Sequence, residues 1–376
     1  MSVAIERIDP QPDRRIVAIS DVHGSLSLLK ALLHKVELKP DDLLLLVGDL
    51  TEKGEKSLET LRFVMELRKT IEVHAVIGNV DATNLRLVAD DSPETQARFA
   101  NFVTFRRDTW GNSLYLDMLR ELGMKFDESA DMLPYMRAIN TQFAPELAFL
   151  RSLPAVIDAP NHIFVHAALP TENMDALQNC ALSDCIKADA FASRDVHFHK
   201  TVVVGHWPVA LYSDKTACFN PIFDCKRNVF SIDGGNAVKE EGQLNALILP
   251  DAYSQEASFT AVDPFPKCVA LDAQQAGSDP FYLRWIDREC DILSEENGLF
   301  QVRHCTTGRL LTIPECFLHE RTTPARFLDF STHILPVSPG DTLSLLRSQR
   351  LPLGWYVKKN GVVGWYSGRI SPTENK

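Results

Sequence analysis

The sequence predicts an α/β core followed by a small all-β region, and three observations carry that expectation. Up to about residue 80, and again from residue 162, short apolar runs alternate with amphipathic stretches at helical spacing, the pattern of strands buried between helices. A block over 82–152 breaks this rhythm and reads as mainly helical. Beyond Pro264 and Pro266 the chain changes to short alternating runs, turns and aromatics.

The elements follow in order. Residues 15–20 (RIVAIS) form a β-prone run ending at Asp21, and Leu26, Leu28, Leu29, Leu32 and Leu33 then fall at helical spacing. Residues 43–47 (LLLLV) are a fully apolar strand ending at Gly48-Asp49. A helix over 57–69 leads to a strand over 73–77 that ends at Gly78-Asn79. In the helical block, Ser92-Pro93 is a cap and first-turn pair, and 114–123 and 145–153 are amphipathic. Strand signals return at 162–165, 201–204, 228–232 and 246–249. Two later stretches, 291–318 and 334–370, share a plan of apolar run, turn and apolar run, and Asn360-Gly361 is a strong hairpin signal. The expected division is 1–258 with an insertion at 82–152, then β units at 259–320 and 321–376.

Composition narrows the functional classes. With 45% hydrophobic and 24% charged residues the chain has the make-up of a folded globular protein. Its net charge is −11, and the basic residues are unevenly placed: eight Lys/Arg against three Asp/Glu over 321–376. The acidic main body argues against a large nucleic-acid surface, which needs a basic face. No apolar run approaches the roughly 18 residues of a membrane span. The charged, proline-containing start MSVAIERIDPQPDRR lacks a signal-peptide core, so the expected address is cytoplasmic. The eight cysteines contain no CxxC pair and read as free thiols.

Chemistry gathers where the apolar strands end. Asp21-Val22-His23, Gly48-Asp49, Gly78-Asn79, Val165-His166 and Gly205-His206 each follow such a strand, as does Ile232-Asp233-Gly234-Gly235. Ligands of α/β sheets bind beyond the carboxyl ends of strands, where the loops converge. Two aspartates, an asparagine and three histidines, with no thiolate, suit Mn, Fe, Zn or Co, and a carboxylate can bridge two such ions. Singly each residue has a plainer role: Asp21 a helix cap, Gly48-Asp49 and Asn79 turn residues, the histidines core polar groups. Six at five strand ends make a set.

The motifs D-x-H at 21–23, G-D at 48–49 with Gly54, G-N at 78–79, V-H-A-A-L at 165–169 and G-H-W-P at 205–208 resemble the calcineurin-like metallophosphoesterases. The run 152–170 (SLPAVIDAPNHIFVHAALP) looks like the approach to the fourth motif of the phosphoprotein-phosphatase branch, which includes bacterial serine/threonine phosphatases and diadenosine tetraphosphatases. The resemblance spans about 14–250. It implies a β-sandwich flanked by helices. It also implies two divalent ions: Asp21 and His23 on the first, Asp49 bridging, and Asn79, His166 and His206 on the second. The implied chemistry is in-line attack by a metal-bridging hydroxide on a phosphorylated protein, nucleotide or small molecule.

The chain departs from that branch at informative places. Where the branch has GDxxDRG and GNHE, this chain has GDLTEKG and GNVD. Lys53 stands where a phosphate-gripping arginine is expected, and Val80 where a leaving group would be protonated. Valine transfers no proton, and loss of a general acid costs about 10²–10⁴-fold. That favours good leaving groups, so a nucleotide polyphosphate hydrolase or phosphodiesterase is the alternative to a phosphatase. A non-catalytic binding protein is the third reading, and the complete ligand set argues against it. The C-terminal part resembles bacterial SH3-like domains through Pro339-Gly340-Asp341 and GWYVKKNGVVGWY. Exposed Trp355, Tyr356, Trp365 and Tyr366 would there line a groove for an extended peptide or glycan.

Overall fold

The structure, a computed structural model of the chain, describes residues 3–372. Contacts divide them into two units. One runs through Val209 and resumes over Pro221–Asp263; the other takes Ala210–Asn220 and the described residues from Pro264 onward.

The first unit opens with β1 (Ile5–Arg7), β2 (Ile16–Ile19), α1 (Leu26–Lys35), β3 (Leu43–Val47), α2 (Ser57–Leu67) and β4 (Glu72–Val76). The helical block follows: α3 (Asn79–Leu87), α4 (Pro93–Trp110), α5 (Leu114–Glu121), α6 (Leu133–Gln142) and α7 (Ala144–Ser152). Then come β5 (Val156–Asp158), β6 (His162–Val165), α8 (Met174–Leu177), α9 (Leu182–Ile186), β7 (Thr201–Val204), β8 (Ile222–Asp224), β9 (Val229–Ser231), β10 (Leu244–Leu249) and β11 (Ser258–Val262). The strands form a six-stranded sheet, β1-β5-β6-β7-β9-β8, and a five-stranded one, β11-β10-β2-β3-β4.

The two sheets share one core, which makes this unit a sandwich. Ile16, Ala18, Leu43, Leu45, Val47 and Leu247 of one sheet cluster with Ile157, Phe164, Val203 and Phe230 of the other. Alternate residues of one strand point to opposite faces, so these positions look inward while Val17, Ile19, Leu44 and Leu46 are buried on the other face. Burial on both faces is why these strands read as unbroken apolar runs. Within the sheets β2, β3 and β4 run parallel, and so do β6, β7 and β9. Parallel strands end at a common edge, so the residues after them are delivered together. In the insertion, the Ser92 side chain accepts a hydrogen bond from the Thr95 amide at 3.2 Å, and Gly111 closes α4 in the left-handed conformation.

The second unit contains β12 (Lys267–Ala270), β13 (Tyr282–Leu283), β14 (Glu289–Glu296), β15 (Leu299–His304), β16 (Leu310–Pro314), β17 (Leu318–Glu320), β18 (Ala325–Phe327), β19 (Phe330–Ser331), β20 (Thr342–Leu345), β21 (Trp355–Lys359), β22 (Val362–Tyr366) and β23 (Ile370–Pro372). They form two five-stranded antiparallel sheets, β22-β21-β20-β12-β23 and β16-β15-β14-β18-β17, with β13 and β19 as a pair. Pairing runs across the division expected at residue 320: β12 pairs with β20 and β23, and β14 with β18. In the first unit, pairing of β11 with β10 extends the strand order to Val262, past the expected end at 258.

One expectation for this unit is corrected. Tyr356, Trp365 and Tyr366 are 1%, 4% and 0% exposed, so the four aromatics do not line an open groove. Tyr356 and Trp365 are register partners and enter one core, while Tyr366 enters another, against which Trp355 packs. This hairpin is covered on both faces, so alternation sends its aromatics into two cores instead of one surface.

Candidate metal centre

The candidate residues lie on the loops just past the parallel strand ends, and the structure brings them together. Asp21, His23 and Asp49 are each at most 2% exposed, and one ligand atom from each lies within 4.8 Å of the others. Nε2 of His23 is 3.7 Å from Asp21 Oδ1 and 3.7 Å from Asp49 Oδ2. The other oxygen of Asp49 is 3.6 Å from Nε2 of His166, which lies 3.1 Å from Asn79 Oδ1. The rings of His166 and His206 are 5.1 Å apart, and the His206 amide donates to Asp21 Oδ2 at 2.9 Å. Lys53 joins the group, with Nζ 2.9 Å from His23 Nε2. Val80 is buried beside it, its amide donating to Asp49 Oδ1 at 2.9 Å.

The backbone explains the motifs. Asp21, His23, Asp49, Glu52, Lys53 and His206 all have positive φ, which costs on the order of 1–3 kcal/mol for a residue with a side chain. Such strain persists where the fold over-determines it and points to function. Two glycines before candidate residues allow close approach. A Cβ on Gly78 would stand 2.1 Å from Asp49 Oδ1, and one on Gly205 would stand 2.3 Å from Asp21 Oδ2. Asn236 holds the first loop in place, its Nδ2 donating to the Val22 carbonyl at 2.9 Å and to Ser25 Oγ at 3.1 Å.

The donor set fits cations. His23 and His166 place Nδ1 3.2 Å and 2.9 Å from the carbonyls of Thr51 and Val47. An imidazole that donates from Nδ1 presents a lone pair at Nε2 for a cation. Nε2 of His23 faces Lys53 Nζ and the oxygens of Asp21 and Asp49, and Nε2 of His166 faces Asp49 and Asn79. Nε2 of His206 is buried with no hydrogen-bond partner. Burial, helped by Lys53, pushes His23 down to about 3, and burial with His166 does the same for His206, so both rings are neutral. Burial and the Asp49 charge push Asp21 up to about 8. Burial also pushes Asp49 upward, but His166, His23 and Lys53 outweigh it and hold that carboxyl near 2. Two deeply buried aspartates ringed by imidazoles form a donor set of the kind divalent cations bind.

Two further acids stand at the site. Asp233, one of the strand-end residues, is 1% exposed with Oδ2 unpartnered, and burial followed by Asp21 raises its pKa far above the usual range. Its signal was its strand-end position. Asp189 Oδ1 lies 3.7 Å from His206 Nε2 and had no such signal, because it sits in an irregular stretch between α9 and β7. His197 and His199 are exposed and interact with Asp195 and Glu172, outside the ligand cluster.

The sandwich, its common strand edge and this donor set define an α/β protein with a candidate metal centre at the strand ends. The chain belongs to the calcineurin-like phosphoesterase family, whose family model matches residues 14–227. A symmetrical bis(5'-nucleosyl)-tetraphosphatase from Pseudomonas putida (strain GB-1) is 46% identical over 65 residues, 17% of this chain and 22% of that protein. The enzyme of the same name from Escherichia coli (strain K12 / DH10B) is 46% identical over 72 residues, 19% of this chain and 25% of that one. The chain thus matches about a quarter of the length of these curated relatives. Among solved structures, a cold-active protein-tyrosine phosphatase of a Shewanella species aligns at 14% identity and TM-score 0.43, covering 68% of this chain and 82% of that one. A metallophosphoesterase from Sphaerobacter thermophilus aligns at 17% identity and TM-score 0.35, covering 66% and 88%. Among the described residues no helix is long and apolar enough to cross a membrane, and no disulfide joins any of the eight cysteines.

Proposed function

We propose that the chain is a phosphoester hydrolase of the phosphoprotein-phosphatase type that works with two divalent ions, Mn, Fe, Zn or Co. Asp21 and His23 would hold the first, Asn79, His166 and His206 the second, and Asp49 both. The observation that carries this is the Asp49 carboxylate: Oδ2 faces His23 and Oδ1 faces His166, as a bridging ligand must. When bound, such ions acidify water and neutralise charge on phosphate oxygens. The chain's own residues do the rest. Asp49, Asn79 and the imidazoles fix the geometry, the Val80 amide orients Asp49, and Lys53 supplies a positive charge beside the cluster. Cysteines without disulfides fit work in a reducing cytoplasm.

Val80 favours a second reading on the same site. Its side chain is buried next to Asp49 and carries no proton, so departing groups must leave as stable anions. Phosphoanhydrides and aryl esters meet that condition and serine alkoxide does not. The relatives named as tetraphosphatases act on anhydrides by their name, which supports nucleotide polyphosphates as substrates. Phosphodiesters are the neighbouring class, and a non-catalytic binding role is the outcome if no substrate turns over. For the C-terminal unit we infer an SH3-like binding role toward an extended peptide or glycan. Its support is a 340 Å³ cavity lined by Leu310, Phe330, Ile334 and Trp365 among others. The deciding experiment is an activity screen of metal-loaded protein on p-nitrophenyl phosphate, its bis-ester, dinucleoside polyphosphates and phosphopeptides. Turnover of one class that disappears with chelator supports the reading, and no turnover of any overturns it.

A further inference from the structure

We propose that Arg106, carried by the helical insertion, binds a phosphate oxyanion of the substrate and takes the role of the arginine that the chain lacks at position 53. The inference rests on the hydrolase reading above and assigns a binding group that lies outside every strand-end motif. Arg106 sits on α4, four residues before its last residue Trp110, and is only 8% exposed. Its guanidinium is clamped between two rings, with Cζ 4.8 Å from the centroids of both Phe102 and Trp110. That stacking fixes the plane of the fork while leaving its edges for hydrogen bonds.

Those edges are under-used. Nε of Arg106 is buried with no hydrogen-bond partner, and the nearest carboxylate oxygen, Glu52 Oε2, stands 3.5 Å away, itself buried without a partner. Glu52 is held by its other oxygen, which accepts the Leu114 amide at 3.0 Å. A buried guanidinium and a buried carboxyl that are neighbours without a hydrogen bond leave the Arg106 Nε donor unsatisfied, which is costly. An acceptor arriving from outside would satisfy that donor. The group is also within electrostatic reach of the metal cluster. Burial lowers the affinity of Arg106 for its proton while Glu52 and Asp49 oppose that effect, and the Arg106 charge in turn disfavours the Lys53 ammonium. A planar fork with an unengaged Nε donor, set against Glu52 on the loop that follows Asp49, matches the oxygens of a phosphoryl group, which lysine holds only as a point charge.

The test uses the full chain loaded with Mn²⁺ and inorganic phosphate as the probe. Arg106→Lys keeps the charge and the aliphatic stem but loses the fork. Phosphate affinity by calorimetry and KM for p-nitrophenyl phosphate should each weaken about tenfold or more, with metal content unchanged. Arg106→Ala should lose more, and added ethylguanidinium should recover part of its rate, a response that loss of packing alone does not give. Wild-type phosphate affinity and KM in Arg106→Lys, alongside normal hydrolysis by the parent, would overturn this inference and leave the hydrolase reading standing. Failure of the metal-loaded parent both to bind phosphate and to turn over any ester would overturn both.

Discussion

Nζ of Lys53 lies 2.9 Å from Nε2 of His23, and His23 has its other ring nitrogen at the Thr51 carbonyl. The ammonium therefore occupies the lone pair that a metal ion at Asp21, His23 and Asp49 would need. Lysine and metal compete for it. Lys53→Met should bind the first Mn²⁺ more tightly in a calorimetric titration while kcat/KM falls. Unchanged or weaker Mn²⁺ binding would refute the competition.

Asp49 should be the residue whose loss costs most. Asp49→Asn keeps the shape and the contact with the Val80 amide but removes the charge that faces two imidazoles. Hydrolysis should vanish and bound metal, measured by plasma mass spectrometry, should fall below one ion per chain, with the circular dichroism spectrum retained. Full activity in this variant ends the binuclear reading.

Gly205 tests the close approach. A Cβ there meets Asp21 Oδ2 at 2.3 Å and the Ser20 side chain at 2.7 Å, both buried. Gly205→Ala should cost roughly 1–3 kcal/mol of stability by overpacking and should displace Asp21, lowering metal affinity as well. A denaturant midpoint and Mn²⁺ affinity equal to the parent's would show that the loop gives way freely.

Glu52 sets a pH dependence for the metal-free protein. Burial raises its carboxyl to about 7, against an ordinary value of 4.5, with Arg106 opposing. A raised folded-state pKa means the folded chain binds that proton more tightly. The contribution is therefore full below pH 4.5 and is lost as pH rises toward 7, a change on the order of 3 kcal/mol for a fully buried group. Glu52→Gln mimics the protonated form, so its stability relative to the parent should grow between pH 5 and 8 in urea melts. Parallel curves across that range would mean that Arg106 keeps Glu52 ionised.

Val80 makes the rate depend on the leaving group. Nothing on the side chain at 80 can protonate a departing alkoxide, so aryl phosphates and phosphoanhydrides should be cleaved far faster than phosphoserine peptides. Val80→His should narrow the gap if Glu52 orients the new imidazole as an acidic partner. A flat dependence on leaving-group pKa in the parent, with chemistry limiting turnover, would point to another acid, for which Asp233 and Asp189 are the candidates beside the cluster.

The amino-acid sequence by itself determined the long elements and which candidate residues meet at the strand ends. Runs such as LLLLV at 43–47 are strands because both faces are buried, and that burial writes an apolar signal at every position. Asp21, Asp49, Asn79, His166 and His206 were legible for the same reason: parallel strands deliver whatever follows them to one edge. The three-residue strands β1, β5 and β8 carry too few positions for any periodicity, and only pairing with neighbours makes them strands. Tertiary structure alone decided three other things. It sent Tyr356, Trp365 and Tyr366 into two cores, because the hairpin is covered on both sides. It placed the Lys53 ammonium on His23, which follows from the positive φ at both residues. And it set Arg106 beside Glu52, 54 positions away in the chain, since a helix face carries no record of what another loop will bring against it.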